Sequence, residues 1–217
     1  NVNGVMNFVN WLHTSDVKRF FFSSSSEVYG FPKVFPTPET EELSIPDPTN
    51  PRFSYSSSKM LGEIIVINFA RSFGIDYSIG RIHNAYGSQM GFEHVMPEFI
   101  KRCVLGETFT VQGDGTESRC FCYVSDVIKA ILTITENEDG KNQIFNIGNP
   151  HETNINELIE ILGKIHGAKI IPEYKNFSKP GTKRRVPDIT KLKKLGYTPL
   201  VTLDEGLKKT YDWYANY

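Results

Sequence analysis

Residues 50–63, NPRFSYSSSKMLGE, place Tyr55 and Lys59 four residues apart. From Tyr55 to about Phe73 the pattern predicts a helix, which Gly74 closes. Four residues is just over one helical turn, so the phenol and the ammonium are expected on the same face. An ammonium beside a phenol stabilises the phenolate, and such a phenol can exchange a proton with a substrate hydroxyl.

The segments on either side of this helix predict a parallel sheet. VKRFFFSSSSEVYG (17–30) contains an aromatic run that predicts a buried strand ended by serines. IDYSIGRIHNAYG (75–87) predicts a second buried strand that runs into a glycine turn. Strand, helix and strand in this order form a βαβ unit, whose ligands bind beyond the carboxyl ends of the strands. The serines and the pair His83 and Asn84 are therefore expected to border one crevice.

The second half of the chain predicts a smaller, less regular lobe. Residues 31–51 hold six prolines and predict an irregular loop. Further helices are predicted over residues 95–105 and in the segments VSDVIKAILTITEN, NINELIEILGKIHG (with Asn154 as its N-cap), PDITKLKKLGY and TLDEGLKKTYDWYANY. The fold class is α/β: the C-terminal part of a Rossmann-type parallel sheet plus a small α+β lobe, expected to close the crevice and bind substrate.

Composition narrows the expected partners. The 217 residues carry a net charge of -1, which gives no electrostatic reason to expect nucleic acid or a membrane surface as a partner. No apolar run is long enough to span a bilayer, and the first residues do not read as a signal peptide. The three cysteines, Cys103, Cys120 and Cys122, suit reduced thiols and a cytoplasmic protein. No metal is expected, because the C-x-C pair lacks the other ligands that zinc requires.

Taken together, the motifs resemble the extended short-chain dehydrogenase/reductase family, the NAD-dependent nucleotide-sugar epimerases, dehydratases and decarboxylases. The matching pieces extend through nearly the whole chain: FFSSSSEVYG, NPRFSYSSSK, GRIHNAYG, VQGDGTESRCFCYVSDV, FNIGN and KRRVPDITKLKKLGYTP…LDEGL. The resemblance implies two domains. Residues 1–83, with 120–149 returning, would be the remainder of an NAD-binding Rossmann domain, and 84–119 with 150–217 the substrate-binding lobe.

The resemblance implies catalytic roles at one end of the first strand and on the helix. Tyr55 matches the catalytic tyrosine, and Lys59 the lysine that tunes it and grips the nicotinamide ribose. Ser25 matches the residue that hydrogen-bonds the sugar 4-hydroxyl. Ser26 and Glu27 fall where related enzymes carry a polar or acidic pair. A purely polar loop role for Glu27 is an equal alternative, because a catalytic carboxylate needs a specific geometry.

The resemblance also implies binding residues. Ser23 lies where the strand approaches the nicotinamide, and His83 is also expected to bind the cofactor. Asn84, which directly follows His83, is expected to bind the substrate. Arg119 and Arg185 match two arginines that hold the diphosphate, a role that suits guanidinium groups. The neighbouring Arg184 is an alternative phosphate ligand to Arg185.

One family signal is not in the sequence. It contains neither the G-x-x-G-x-x-G turn nor the acidic residue that would hold the adenosine ribose. We therefore expect the chain to be a fragment that starts in the helix after the fourth strand of the sheet. A truncated protein without cofactor binding is the alternative.

The resemblance implies an enzyme that acts on a nucleoside-diphosphate sugar through a transient 4-keto intermediate. A 4-epimerase is favoured slightly, because epimerisation asks for fewer special groups. The motif SSSSEVYG and Arg185 also suit a UDP-glucuronate decarboxylase-like enzyme. A dehydratase is disfavoured, because its usual aspartate is replaced by Ser26. A non-catalytic nucleotide-sugar-binding subunit is the alternative from another class. The resemblance also implies a homodimer formed by the Tyr55 helix and its N-terminal neighbour.

Overall fold

The structure is a computed structural model that describes residues 1–176 and 182–216. Its helices are α1 (Val2–His13), α2 (Phe53–Phe73), α3 (Val95–Leu105), α4 (Val124–Glu136), α5 (Ile155–His166), α6 (Thr190–Lys194) and α7 (Leu203–Ala215). Its strands are β1 (Arg19–Ser25), β2 (Asp76–Ile82), β3 (Ala85–Tyr86), β4 (Thr110–Gln112), β5 (Ser118–Arg119), β6 (Cys122–Tyr123), β7 (Gln143–Ile147), β8 (Thr153–Asn154), β9 (Glu173–Lys175) and β10 (Arg184–Arg185).

The central sheet is parallel and has the order β1-β2-β7. The register places Ser25 of β1 opposite Ile82, and Ile82 opposite Ile147 of β7. All three strands therefore end at the same edge. The βαβ unit predicted from the sequence is confirmed, and the serines lie beside the residues that follow β2.

The aromatic run of β1 is buried by helices on both faces of the sheet. Phe20 and Phe22 pack in the cluster that holds Val9 of α1 and Val66 of α2. Phe21, which points the other way in the strand, packs in the cluster built around α4 and β7. Burying large apolar side chains of this kind contributes about 1.5–3 kcal/mol each. A strand covered on both faces explains why the run is continuous instead of alternating.

The second lobe has its own apolar core between α3, α5 and α7. Side chains that are at most 2% exposed fill it: Met96, Ile100, Val111, Leu158, Leu162 and Leu207. Asn154 caps α5 through a capping box with Glu157, as the sequence predicted. The strands outside the central sheet form three small sheets, with the orders β10-β5-β8, β3-β6 and β4-β9.

The division into two domains stays a prediction, and the described packing differs from it in one place. Ile189, Leu192 and Tyr197, assigned to the lobe, pack against Phe145 and Ile147 of the central sheet. Apolar positions of α6 thus cover β7 rather than the lobe.

The proline-rich loop 31–51 is irregular, as predicted, and it holds the strand that carries Arg185. Thr37 N–H donates to Val186 O at 2.7 Å, and Asp188 N–H donates to Thr37 O at 2.9 Å. The backbone of the loop at Thr37 therefore pairs with residues 186–188.

No helix within residues 1–176 and 182–216 is both long and apolar enough to cross a lipid bilayer.

Candidate active site

Tyr55 and Lys59 lie at the start of α2, above the carboxyl end of β1. Tyr55 is in the first turn of the helix and is 44% exposed. Lys59 Nζ donates to Ser23 O at 2.7 Å and lies 5.8 Å from the centroid of the Tyr55 ring. Burial lowers the pKa of Lys59. The ammonium uses one of its three donors on Ser23, so two are left for a ligand.

A buried polar network fixes α2 against the sheet. Ser24 Oγ donates to Glu63 Oε1 at 2.5 Å, and Arg81 donates to both oxygens of Glu63 at 3.0 and 2.8 Å. Glu63 lies one turn after Lys59 on α2, Ser24 is on β1 and Arg81 is on β2. The side chains of Glu63 and Arg81 are almost fully buried. Removing one member of such a pair leaves an uncompensated charge, so the network holds the three elements in one relative position.

The network continues through Tyr29 and Asn146 to His83. Arg81 donates to Tyr29 Oη at 3.0 Å, and Tyr29 donates to Asn146 Oδ1 at 2.8 Å. Burial raises the pKa of Tyr29 to about 12, so its phenol keeps its proton at neutral pH. His83 Nε2 lies 3.1 Å from the same Asn146 oxygen. Because that oxygen only accepts, the His83 proton is on Nε2.

His83 lies beneath the crevice surface. It is 2% exposed, and its Nδ1 has no hydrogen-bond partner among the described residues. Burial lowers the pKa of His83 to about 4, so the ring is neutral at pH 7. The structure brings His83 to the end of β2, but into the network of Asn146 instead of the open face. Its predicted contact with a cofactor gains no support from this geometry.

Ser25, Ser26 and Glu27 form a tight turn directly after β1. Ser25 Oγ accepts the Glu27 N–H at 3.2 Å and so caps the 3₁₀ turn Ser26–Tyr29. The capping bond uses a lone pair of the hydroxyl and leaves its proton available to a ligand. Ser26 is buried, whereas Glu27 is about one-third exposed.

Glu27 forms a bidentate ion pair with Arg185. Arg185 Nη2 donates to Glu27 Oε2 at 2.8 Å, and Arg185 Nη1 donates to the other oxygen. Burial acts to raise the pKa of Glu27, but the hydrogen bond and charge of Arg185 outweigh it and hold that pKa below its usual value. Arg185 is 6% exposed, and its Nε has no partner among the described residues. The pair thus joins two residues to which the sequence assigned separate roles.

Arg119 borders a separate pocket. Its Nη1 donates to the backbone oxygen of Ser118 at 2.7 Å. The pocket has a volume of about 270 Å³ and is also lined by Phe99, Val111 and Gln112. This volume is near the lower end of the roughly 300–1,000 Å³ found for small-molecule sites. A larger cleft of about 1290 Å³ lies at Asp114, Glu152, Lys183 and Arg184. Of the predicted site residues it is lined only by Arg184, the alternative phosphate ligand.

Asn84 and Arg184 are the two remaining residues that the sequence assigned to the site. Asn84 has a positive φ of 37°, and its Nδ2 lies 3.5 Å from Cys120 O. Asparagine tolerates this region better than most residues, which suits the abrupt turn after β2. Arg184 is exposed and pairs with Glu152 at 2.7 and 2.8 Å. Of the two adjacent arginines, only Arg185 therefore faces the turn after β1.

Sequence reasoning missed three residues of this site: Arg52, Glu63 and Arg81. Arg52 lies at the N-terminal end of α2, and its charge acts on Glu27. The sequence could have indicated Arg52, because a residue three positions before Tyr55 lies about one helical turn away from it. Glu63 and Arg81 gave no such indication, because their pairing depends on how α2 lies on the sheet.

A parallel sheet with a Tyr-x-x-x-Lys helix at its carboxyl edge and a serine-ended strand beside it defines the extended short-chain dehydrogenase/reductase class. Within this class, the chain belongs to the NAD dependent epimerase/dehydratase family, whose model matches residues 1–148.

The chain is similar to proteins of two activities within this family. It is 36% identical over 210 residues to UDP-glucuronic acid decarboxylase 5 of Arabidopsis thaliana, covering 95% of this chain and 60% of that protein. A structure of UDP-glucose 4-epimerase from Thermotoga maritima with UDP-glucose superposes with a TM-score of 0.88 and 34% identity, covering 98% of this chain and 68% of that one. UDP-glucuronic acid 4-epimerase from Bacillus cereus in complex with NAD superposes with a TM-score of 0.87 and 25% identity, covering 98% and 66%. The chain thus spans about 60% of the decarboxylase and about two thirds of the two epimerases.

Proposed function

We propose that the chain belongs to an NAD-dependent 4-epimerase that acts on a nucleoside-diphosphate sugar. The observation that carries this proposal is the arrangement of Tyr55, Lys59 and Ser25 around the end of β1. Lys59 is anchored to Ser23 O at 2.7 Å while Tyr55 stays exposed in the first turn of α2. A half-buried ammonium beside an accessible phenol suits proton exchange with a sugar hydroxyl.

Each residue has a defined task in this reaction. Tyr55 takes the proton from the 4-hydroxyl of the sugar. The hydroxyl of Ser25 donates a hydrogen bond to the same oxygen. Lys59 stabilises the phenolate through its charge. NAD, when bound, would supply the hydride chemistry: it would accept a hydride from the sugar carbon and later return it. Epimerisation asks for little beyond these groups and room for the sugar to turn over.

The residues at the end of β1 fit a nicotinamide ribose. Lys59 has two N–H donors left after its bond to Ser23, and ribose hydroxyls accept such bonds. Ser23 itself is exposed at the strand end. Ser23, Tyr55 and Lys59 would therefore hold the cofactor.

The diphosphate and the base fit the side of the site that carries the arginines. Arg119 and Arg185 supply planar guanidinium groups that suit phosphate oxygens. The pocket of about 270 Å³ beside Arg119 combines Phe99 and Val111 with the polar Gln112, as a nucleoside base requires. Asn84 borders the sugar between them.

A UDP-glucuronate decarboxylase-like activity is the second candidate, and the pair of Glu27 with Arg185 favours it. The pair places a carboxylate and a guanidinium beside Ser26, which are additional acid–base and anion-binding groups that a 4-epimerase does not require. The similarity to the Arabidopsis decarboxylase agrees with this candidate.

Product analysis of the full-length protein with NAD separates these activities. A 4-epimerase converts UDP-glucose into its 4-epimer and releases no CO₂. A decarboxylase releases CO₂ from UDP-glucuronate and leaves a UDP-pentose. Binding of UDP without turnover of either substrate would instead indicate a nucleotide-sugar-binding subunit.

Tyr55→Phe tests the mechanism that both enzymes share. Turnover should fall by at least about 100-fold, because the proton-transfer group is lost. Affinity for UDP should stay within about twofold, because the phenol does not contact the nucleotide. Tyr211→Phe, on α7, is the matched control and should keep full turnover. Near-normal turnover of Tyr55→Phe would contradict the proposed mechanism.

We also propose that the protein is a cytoplasmic homodimer. Both α1 and α2 carry exposed apolar side chains: Val2, Met6, Trp11, Leu61 and Ile64. Exposed apolar faces on two adjacent helices support a four-helix interface. Cys103, Cys120 and Cys122 are all free and buried, which supports a reducing compartment.

A further inference from the structure

Arg52 is a cation of the site that forms no direct ion pair with a carboxylate of residues 1–176 and 182–216. It lies at the N-cap position of α2, three residues before Tyr55, and its side chain is exposed. Within residues 1–176 and 182–216 its guanidinium makes one hydrogen bond, from Nη2 to Thr182 Oγ1 at 3.1 Å. A guanidinium has five N–H donors, so most of its capacity is left for another acceptor.

Thr182 places Arg52 beside Arg185. Arg185 Nη2 donates to the same hydroxyl oxygen at 3.2 Å, and Thr182 is 4% exposed. Two guanidinium groups that share one oxygen lie within a few ångströms of each other. Arg52 therefore belongs spatially to the arginine side of the site, although it is carried by the helix of Tyr55.

The charges of this region are out of balance. Arg185, Arg52 and Arg119 all act on the single carboxylate of Glu27. Burial lowers the pKa of Arg119, and the charges of Arg185 and Arg52 lower it further. The carboxylates of Glu117 and Glu27 act on that pKa in the opposite direction. Three guanidinium groups thus face the carboxylates of Glu27 and Glu117, and positive charge is in excess. Like charges repel each other unless an anion lies between them, and a diphosphate is such an anion.

We propose that Arg52 is a third guanidinium ligand of the substrate's diphosphate, next to Arg119 and Arg185. This inference rests on the proposed function, since it assigns a ligand to the same site. Arg52 stands one turn from Tyr55 on α2, so it would fix the distance between the diphosphate and the proton-transferring phenol. A carboxylate on the sugar would offer Arg52 the same charge-assisted chemistry, and the choice of ligands below separates the two sources.

The test measures binding of UDP, UDP-glucose and UDP-glucuronate by calorimetry. The full-length protein is compared with Arg52→Gln and with Arg71→Gln, a control arginine in the last turn of the same helix. Arg52→Gln should weaken all three ligands equally, by about 10- to 100-fold, because each of them carries the diphosphate. Arg71→Gln should bind all three like the wild type.

A loss confined to UDP-glucuronate would show that Arg52 reads a sugar carboxylate, and it would overturn the proposal. Unchanged binding of all three ligands by Arg52→Gln would overturn it as well. If the wild type bound none of them, the proposed function itself would fail.

A purely structural role of Arg52 is tested with two further variants. Thr182→Val removes the hydroxyl that Arg52 holds but keeps both arginines. It should weaken UDP much less than Arg52→Gln does. Arg52→Lys keeps the charge but loses the fork, so its UDP affinity should lie between the wild type and Arg52→Gln. If Thr182→Val reproduced the whole loss, Arg52 would be an anchor for residue 182 and not an anion ligand.

Discussion

At the scale of single residues, the carboxylate of Glu27 competes with any anion for Arg185. The bidentate pair occupies two of the guanidinium donors in the absence of a ligand. We predict that Glu27→Gln tightens UDP binding by about threefold to tenfold, since a neutral amide competes less and the pair is partly exposed. Calorimetric titration with UDP measures this change.

Glu152→Gln is the matched control for that variant. Glu152 holds Arg184 in a similar bidentate pair, but on the exposed side. Its loss should leave the affinity for UDP unchanged. Equal or weaker UDP binding by Glu27→Gln would show that Arg185 stays with the carboxylate when the nucleotide binds.

His83 makes stability depend on pH. Burial holds its pKa near 4 in the folded protein, whereas an unfolded histidine titrates near 6.5. Between these values the unfolded chain binds a proton that the folded chain excludes, so the free energy of unfolding rises with pH across that window. The full contribution is about 3 kcal/mol, present above pH 6.5 and lost as the pH falls towards 4.

Denaturant unfolding at several pH values between 4.5 and 7.5 measures this effect. In His83→Gln, which keeps a donor for Asn146, the dependence on pH should be shallower. His151→Gln removes an exposed histidine and should keep the wild-type slope. An unchanged slope in His83→Gln would mean that other groups cause the dependence.

At the level of the helices and strands, the buried ion pair of Glu63 with Arg81 holds α2 against the sheet. Glu63→Gln leaves Arg81 without a counter-charge in a buried place, which should lower the free energy of unfolding by about 3–5 kcal/mol. Glu152→Gln breaks an exposed pair and should cost at most about 1 kcal/mol. Urea denaturation of both variants measures the difference. Equal costs would mean that apolar packing alone holds α2.

The helices and strands that position the site were predictable, because their signals are local. The aromatic run of β1, the Gly74 that closes α2 and the Asn154 that caps α5 are each recognisable from a few neighbouring residues. The position of Tyr55 relative to Lys59 followed from helical spacing alone. The start of α2 was placed at Tyr55 and lies at Phe53, since the first helical turn carries no capping side chain.

The contacts between elements were not predictable in the same way. Glu63 and Arg81 are ordinary charged residues in the sequence, and only the packing of α2 on β2 makes them a buried pair. Arg185 was assigned to phosphate, and its bond to Glu27 joins residues 158 positions apart. No periodicity records which of several arginines turns towards a given carboxylate.

At the scale of the whole molecule, the apolar faces of α1 and α2 predict the dimer. We expect Ile64→Asp to convert a dimer into a monomer, since Ile64 is 53% exposed and a buried unpaired carboxylate is costly. Sedimentation measures the mass. Ile171→Asp, an exposed apolar site on the lobe, should leave the dimer intact. If Ile128→Asp on α4 separated the subunits instead, the interface would lie on the opposite face of the sheet.

The distance along the chain between Glu27 and Arg185 has a consequence for the newborn protein. A ribosome adds about 5–20 residues per second, so the 158 positions that separate Arg185 from Glu27 take roughly 8–30 s to make. During that interval β1, α2 and β2, with Tyr55 and Lys59, have already been synthesised. The strand with Arg185 is still unmade, so Glu27 does not yet have its bidentate partner. The nascent chain therefore acquires its proton-transfer residues first and its full set of anion-binding arginines last.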